Sequence, residues 1–179
     1  MAASAGRGGP ALWLRATRRR AGGTHSRPPS RGAGWVAVQL AAMAAAIALG
    51  FVPPKWPDGA RWPLAVAGAG LALAGAGTAA WSARLLGAGL TPFPRPRPGA
   101  PLVRSGPYRV VRHPLYAGGL LFFAGYGLAA SVAALAAAGA LGVVWGLKAR
   151  VEERHLAALH PEYGDYAARV RFRLVPGVY

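Results

Sequence analysis

A charge-free apolar run of 34 residues, from Pro114 to Leu147, is the feature that most limits how this chain can fold. A helix of about 20 residues crosses the roughly 30 Å hydrocarbon core of a bilayer, so the run is too long for one crossing and long enough for two short ones. Ser131, near its middle, marks a tight turn. Backbone groups in lipid need partners within their own segment, and the run lacks the alternation of a barrel strand. It therefore predicts two membrane helices, at 114–130 and 132–147.

Two further apolar runs of crossing length precede it, at Gly34–Val52 and from Trp62 to about Leu86. The first is interrupted by a single polar residue, Gln39. Glycines at 68, 70, 75 and 77 of the second follow no strand, and they indicate close helix packing rather than a nucleotide-binding loop. The predicted fold class is all-α: a polytopic membrane helical bundle with about four transmembrane helices, at 34–52, 62–86, 114–130 and 132–147.

Charge is strongly unbalanced, with 21 Lys and Arg against 5 Asp and Glu and a formal net charge of +16. Such an excess would ordinarily suggest nucleic acid, but the basic residues cluster between the apolar runs, which favours membrane lipid as the partner. By the positive-inside bias, the basic arm, the 84–112 loop and the tail lie on one side. We therefore expect an integral membrane protein with both termini cytoplasmic, in the inner membrane if the source is bacterial. No nucleic-acid partner and no obligate protein partner is expected.

Residues 1–33 mix Gly, Pro, Ser and Arg with little apolar content. This composition predicts a disordered basic arm drawn to anionic lipid. A cleaved targeting peptide, which is also rich in arginine and poor in acidic residues, is the alternative, although no secretory apolar core with a cleavage site is present. Residues 34–179 then form a single membrane domain. The sequence has no cysteine, and its four histidines show no metal-ligand spacing, so neither a thiolate nucleophile nor a metal site is predicted.

Polar residues crowd against the start of the charge-free run, in the segment Gly106–Tyr116. The stretch before it, Thr91–Pro101, holds five prolines and is predicted to lie extended. Pro114 suits the first turn of a helix, which places His113 at the helix start and Tyr116 on the same face. Taken alone, Tyr108 and Tyr116 could be interfacial aromatic residues, and Arg109 and Arg112 could reach lipid headgroups. Their combination indicates a site.

A second polar cluster follows the last apolar run without a break, so this helix is predicted to leave the membrane and end near Leu159. Helical spacing predicts two ion pairs, Lys148 with Glu152 and Arg150 with Glu153. The alternative is an ordinary solvated helix face, where such pairs contribute only about 0.3–0.5 kcal/mol each. The scarcity of carboxylates in the chain favours a binding role for the two adjacent ones, which suit an amino or sulfonium cation.

The tail combines aromatic and basic residues. Tyr163, Tyr166 and Phe172 are interspersed with arginines at 169, 171 and 173. Such a segment is amphipathic and is predicted to lie in the membrane interface as a C-terminal lid.

Together these motifs resemble the C-terminal half of the isoprenylcysteine carboxyl methyltransferase family, which includes small bacterial members and related phospholipid methyltransferases. The resemblance covers about residues 90–176. It rests on Gly106-Pro107-Tyr108, Arg112-His113-Pro114 with Tyr116, Glu152-Glu153 with Leu156, and Tyr163 and Tyr166 ahead of Val170 and Pro176. It implies a membrane methyltransferase that uses S-adenosylmethionine, bound within about 100–116 and 148–176. The residues it implies for binding this cofactor are Ala100, Pro101, Leu102, Val103, Tyr108, His113, Pro114, Leu115, Tyr116, Glu152 and Glu153.

For the methyl acceptor, we expect a lipid-like or isoprenylated molecule or another small molecule, which can be a carboxylate, and the resemblance implies that a basic residue holds it in place. Lys148 matches that position, and Arg150 is the rival. The family commonly shows Phe-Gly ahead of the first tail tyrosine, where this chain has Leu159-His160-Pro161. Which residue of the Glu152-Glu153 pair contacts the cofactor therefore stays open.

Two other classes of protein share part of this pattern. NADPH-dependent membrane reductases of the sterol and steroid type resemble the chain in the Arg-His-Pro-x-Tyr corner and in a terminal Tyr, Arg and Pro pattern, but they generally need more crossings. A non-catalytic membrane protein would use the same aromatic and basic residues only for anchoring in anionic lipid. Binding of one cofactor, of the other, or of neither would separate the three classes.

Overall fold

The computed structural model describes residues 32–177, whose regular structure consists of α-helices and two short 3₁₀ turns. The helices are α1 (Ala33–Leu49), α2 (Asp58–Leu86), α3 (Pro114–Ala130), α4 (Val132–Leu159) and α5 (Tyr163–Arg169). The 3₁₀ turns are Gly87–Gly89 and Gly106–Arg109. This part of the chain contains no strand, so the predicted all-α class is confirmed. The N-terminal arm is predicted to be disordered, and its residues 1–31 lie outside the described range.

Sequence and structure agree most closely on the charge-free run. α3 has the predicted bounds, and Ser131 is the single residue between α3 and α4. The Ser131 hydroxyl accepts a hydrogen bond from Ala134 N (3.1 Å), which caps α4, and donates one to Leu49 O of α1 (2.8 Å). α4 continues to Leu159, as predicted. α2 begins earlier than predicted, at Asp58, whose carboxylate is favourable in the first turn of a helix.

Glycines bring α2 and α3 into close contact. A Cβ atom added at Gly68 or Gly75 would lie 2.5 Å or 2.4 Å from a backbone atom of α3. At Gly70 and Gly77 an added Cβ would meet nothing within 4 Å. The prediction of close packing is confirmed for the first pair and wrong for the second. The reason is helical geometry: positions 68 and 75 are two turns apart and share the face that meets α3.

Large apolar side chains cover the outside of the bundle. Trp62, Val66 and Leu73 of α2 are 76%, 72% and 75% exposed. Two helices, one spanning Asp58–Gly89 and the other α4, are long and apolar enough to cross a membrane, while α1 and α3 are apolar helices of 17 residues each. At 1.5 Å per residue, a 17-residue helix reaches about 26 Å, the lower limit for a crossing. This exterior suits a lipid environment.

The two ends of the bundle differ. At one end, Trp56 Nε1 donates to Gly127 O (3.2 Å) and Tyr126 Oη donates to Ile47 O (2.8 Å), so the α1–α2 loop meets the end of α3. The opposite end gathers the C-terminal ends of α2 and α4, the start of α3, the loop between α2 and α3, and the tail. Within residues 32–177, the segments richest in arginine therefore lie together at this second end.

Candidate functional site

The polar corner predicted from the sequence folds around the start of α3. A 3₁₀ turn presents Tyr108, and His113 is the N-cap residue of α3. The tail binds this corner through the backbone, because Arg112 N donates to Phe172 O and His113 N donates to Arg173 O, each at 2.9 Å. The corner and the tail, which are far apart in sequence, are thus one structural unit.

His113 lies between the two adjacent carboxylates of α4. Its Nδ1 is 3.5 Å from Glu152 Oε2 and its Nε2 is 3.3 Å from Glu153 Oε1. Tyr116 stacks on the imidazole, with ring centroids 5.8 Å apart, and donates a hydrogen bond to Glu152. Burial by itself lowers the pKa of His113, but the hydrogen bonds and negative charges of Glu152 and Glu153 outweigh it and raise the pKa above its usual value. The environment of His113 therefore favours the protonated imidazole.

Glu153 is the centre of an ion-pair cluster that joins the tail to α4. Arg173 donates from Nε to Oε1 (3.1 Å) and from Nη2 to Oε2 (2.9 Å), and Arg112 Nε lies 2.9 Å from Oε1. Neither ion pair predicted from helical spacing forms within residues 32–177, because Glu153 takes these other partners and Lys148 binds elsewhere. Glu153 thus supports His113 and the tail.

A cleft of about 120 Å³ opens beside His113, between the proline-rich loop and the ends of α2, α3 and α4. This polar cleft is lined by Leu86, Gly89, Thr91, Phe93, Pro94, Pro96, Tyr108, Arg112, His113, Leu115, Tyr116, Glu152 and Leu156. Five of the residues predicted for cofactor binding meet here: Tyr108, His113, Leu115, Tyr116 and Glu152. Of the two adjacent carboxylates, Glu152 faces the cleft.

A smaller pocket of about 70 Å³ adjoins the polar cleft and shares Tyr108 and Arg112 with it. This tyrosine pocket is lined by Leu86, Pro101, Leu102, Val103, Tyr108, Arg112, Leu156, Tyr163 and Tyr166. Three further predicted residues, at 101–103, therefore lie next to the cleft. Ala100 packs against Gly89, where an added Cβ would lie 3.3 Å from the Ala100 methyl group.

Two buried tyrosines of α5 form the far wall of the tyrosine pocket. Burial raises the pKa of Tyr166 to about 12, so its hydroxyl stays protonated and donates to Tyr108 O at 2.8 Å. The Tyr163 hydroxyl is buried and makes no hydrogen bond. Because buried polar groups are nearly always hydrogen-bonded, this donor suits a bound polar ligand.

Besides Ala100, four predicted residues line neither the polar cleft nor the tyrosine pocket. Pro114 is buried and faces an apolar groove beside Trp81. Glu153 contacts His113 Nε2 and the tail residue Arg173. Arg150 is exposed and lines a separate groove. Lys148 is fully buried.

Lys148 ties three segments together. Its Nζ donates to Gln39 Oε1 of α1 (2.6 Å) and to Pro92 O of the proline-rich loop (2.7 Å), and it lies 5.2 Å from the centroid of the Tyr116 ring. In the sequence, Gln39 stands out only as a polar interruption of an apolar run. That interruption was the available signal, since a polar side chain in a membrane helix needs a partner.

The wall formed by Thr91, Phe93, Pro94 and Pro96 was also missed. Prolines at alternate positions predicted an extended path for this loop, but no local pattern shows which surface an extended segment will cover. Arg112 belonged to the recognised motif and was not assigned to the site. Within residues 32–177 no group of three or more His, Asp or Glu side chains is arranged to hold a metal ion.

The fold and the site together define a helical membrane protein with a polar cleft at its arginine-rich end. A family model described as phospholipid methyltransferase matches residues 64–163, which is more than half of the chain. The chain belongs to the phospholipid methyltransferase family. The resemblance drawn from the sequence motifs is thereby confirmed, and the protein belongs among membrane methyltransferases.

One curated relative shares a shorter stretch. The cobalt-zinc-cadmium resistance protein CzcN of Cupriavidus metallidurans is 41% identical over 70 residues, which cover 38% of this chain and 32% of that protein. The match thus spans about a third of the relative's length, and its name carries no argument about activity here. No solved structure matches the chain.

Proposed function

We propose that this protein transfers a methyl group from S-adenosylmethionine to a lipid-like acceptor. The observation that carries the proposal is the placement of Glu152, a carboxylate that faces the polar cleft while Tyr116 and His113 hold it in position. A fixed carboxylate among aromatic rings suits a cationic ligand. Membership of the methyltransferase family supports this reading over the NADPH-dependent reductase.

The residues of the cleft and the tyrosine pocket fit the chemistry of this donor. Glu152 and the rings of Tyr108 and Tyr116 suit its positive charges. The unsatisfied Tyr163 hydroxyl suits a carboxylate or a ring nitrogen. When bound, S-adenosylmethionine supplies a methyl group already activated by the positive sulfur, so the protein needs no covalent nucleophile of its own.

What the chain contributes is placement and exclusion of water. His113 and Tyr116 keep the Glu152 carboxylate in one orientation. The proline-rich loop covers one side of the cleft, and α5 covers the other through the Tyr166–Tyr108 hydrogen bond. These contacts keep the proline-rich loop and α5 in fixed positions on either side of the cleft.

For the acceptor, Lys148 is the better placed of the two predicted basic residues. It contacts Tyr116, which lines the cleft, whereas Arg150 lines another groove. Two of its three ammonium donors are used by Gln39 and Pro92, which leaves one for an acidic acceptor. The proposed acceptor is a lipid-like or isoprenylated molecule, including one with a carboxylate.

Donor binding is the direct test of the proposal. We expect S-adenosylmethionine to bind purified detergent-solubilised protein in a calorimetric titration, and the variants His113→Ala and Glu152→Ala to lose binding. Glu152→Gln, which keeps the shape and loses the charge, should weaken binding by about tenfold or more. Glu162→Gln removes a carboxylate outside the cleft and serves as the matched control.

Retained binding in both alanine variants, with their helical circular dichroism unchanged, would overturn the assignment. Titration with NADPH in parallel tests the reductase alternative, which binding of NADPH alone would favour. To name the acceptor class, membranes containing the protein are incubated with methyl-labelled S-adenosylmethionine and separated into lipid, protein and small-molecule fractions. Label in the lipid fraction is the expected result.

A further inference from the structure

A second groove lies on the outside of α4 and shares no lining residue with the polar cleft. It has a volume of about 420 Å³ and is enclosed by α3, α4 and the tail. We call it the arginine groove, and its lining residues are Leu120, Gly139, Gly142, Val143, Gly146, Leu147, Arg150, Arg173, Leu174 and Val175. Eight of these ten are glycine or aliphatic, and the two arginines lie at its polar end.

The apolar part of the groove exists because α4 lacks side chains along it. A Cβ atom added at Gly139 or Gly146 would meet nothing within 4 Å. The flanking Val143 and Leu147 are 63% and 45% exposed, on a helix long and apolar enough to cross a membrane. On such a surface, this open channel is adjacent to lipid tails. Its width comes from the glycines, which have no side chain to fill it.

The polar end of the groove carries two arginines, of which Arg173 pairs with Glu153 and Arg150 has no carboxylate partner among the described residues. Arg150 follows Leu147 by less than one helical turn and, within residues 32–177, forms no ion pair. Arg173 uses Nε and Nη2 for Glu153, and a guanidinium has five N–H donors, so further donors remain. A long apolar channel that ends at two guanidinium groups is complementary to an anionic amphiphile.

We propose that the arginine groove binds an anionic glycerophospholipid of the bilayer, with its phosphate at Arg150 and Arg173 and a hydrocarbon chain along Gly139, Gly142 and Gly146. This binding site is separate from the methyl-donor site and does not depend on the methyltransferase reaction. Arginine is suited to the phosphate because its planar fork can make paired hydrogen bonds to phosphate oxygens.

A second copy of the chain is the rival occupant, because small residues four apart promote helix pairing in membranes. Charge argues against it. Two copies inserted with the same orientation would pair about an axis normal to the membrane, which brings the Arg150 ends of both copies together. Like charges facing across an interface disfavour the pair. A lipid phosphate instead compensates that charge.

Native mass spectrometry of delipidated, detergent-solubilised full-length protein provides the test. The probes are phosphatidylglycerol and phosphatidylcholine with identical chains. We expect phosphatidylglycerol to bind about tenfold more tightly, and Arg150→Gln to remove most of that difference. Arg169→Gln is the charge-matched control, since Arg169 is exposed and outside the groove. Gly146→Leu, which fills the channel, should weaken both lipids, whereas Gly77→Leu on α2 should not.

Equal losses in Arg150→Gln and Arg169→Gln would overturn the proposal, because they would mean general attraction to positive charge. Equal affinity of the unmodified protein for the two lipids would also overturn it. Loss of a dimer in Gly146→Leu, with unchanged lipid binding, would assign the groove to a second copy. If the leucine variant fails to fold, the arginine pair of variants still decides, since both side chains are exposed.

Discussion

At the residue scale, the site depends on one imidazole held between two carboxylates. Glu152 and Glu153 are adjacent in sequence, yet His113 reaches both, one with each ring nitrogen. The two carboxylates then diverge in their other contacts, since Glu152 faces the polar cleft and Glu153 binds Arg112 and Arg173. His113 therefore connects the ligand side of the site to the ion pairs that hold the tail.

The raised pKa of His113 predicts a pH-dependent stability. A histidine in an unfolded chain titrates near pH 6.5, and in the folded protein these carboxylates favour the protonated form. The stabilisation is complete below about pH 6.5 and is lost as the pH rises through the higher folded value. We expect the melting temperature of the unmodified protein to fall more between pH 6 and pH 9 than that of His113→Gln, measured by intrinsic fluorescence in detergent.

His155→Gln provides the control for this prediction, because His155 has no carboxylate contact in the described residues. Its melting temperature should follow that of the unmodified protein across the pH range. A constant difference between the unmodified protein and His113→Gln at every pH would contradict a titrating His113.

At the scale of elements, the contact between α2 and α3 is the most extensive in the described part of the bundle and depends on glycine. An added Cβ would lie 2.6 Å from Ala79 N at Gly118 and 2.4 Å from Gly68 O at Gly125. The opposed atoms are backbone and cannot move aside alone. Since α3 begins at His113, this contact also sets where the polar corner lies relative to the end of α2.

Single alanine substitutions should distinguish the two kinds of glycine. Gly118→Ala and Gly125→Ala should destabilise the protein by about 1–3 kcal/mol, because α2 and α3 must separate. Gly70→Ala and Gly77→Ala, where the new methyl group meets open space, should be neutral or stabilise by up to about 1 kcal/mol through helix propensity. Melting temperatures in detergent measure both effects, and equal shifts in the two pairs would contradict this account of the helix contact.

At the scale of the whole molecule, charge and shape agree on which end carries the site. The arginine-rich loop, the tail and the polar cleft lie at one end of the bundle, and the α1–α2 loop lies at the other. By the positive-inside bias, we expect the cleft to face the cytoplasm, together with both termini if all four long helices cross the membrane. A soluble methyl donor would then reach the cleft from the cytosol.

Site-directed labelling tests this topology without background, because the sequence has no cysteine. We expect a membrane-impermeant maleimide to label Gly59→Cys in intact bacterial cells and Arg97→Cys only after the cells are opened. Both positions suit a probe, since a Cβ at Gly59 meets nothing within 4 Å and Arg97 is exposed. Labelling of both positions in intact cells, or in the reverse order, would contradict four crossings with cytoplasmic termini.

The sequence by itself determined the helical class, the bounds of α3 and the end of α4. These properties follow from local chemistry: a charge-free run, a proline that suits a first helical turn, and a serine that caps the next helix. The motif around His113 and Tyr116 also identified four residues of the polar cleft, Tyr108, His113, Leu115 and Tyr116, since a short segment at a helix start keeps its members close.

Only the tertiary structure decided which charges pair and what covers the cleft. Helical spacing predicted Lys148 with Glu152, but Lys148 instead reaches Gln39, which is 109 residues away, and Pro92, which is 56 residues away. A buried ammonium takes whichever oxygens lie nearest in three dimensions, and no sequence period records that distance. The same reason explains Glu153, whose partners come from the corner and the tail, and the proline-rich loop, whose covering position depends on helices distant in sequence.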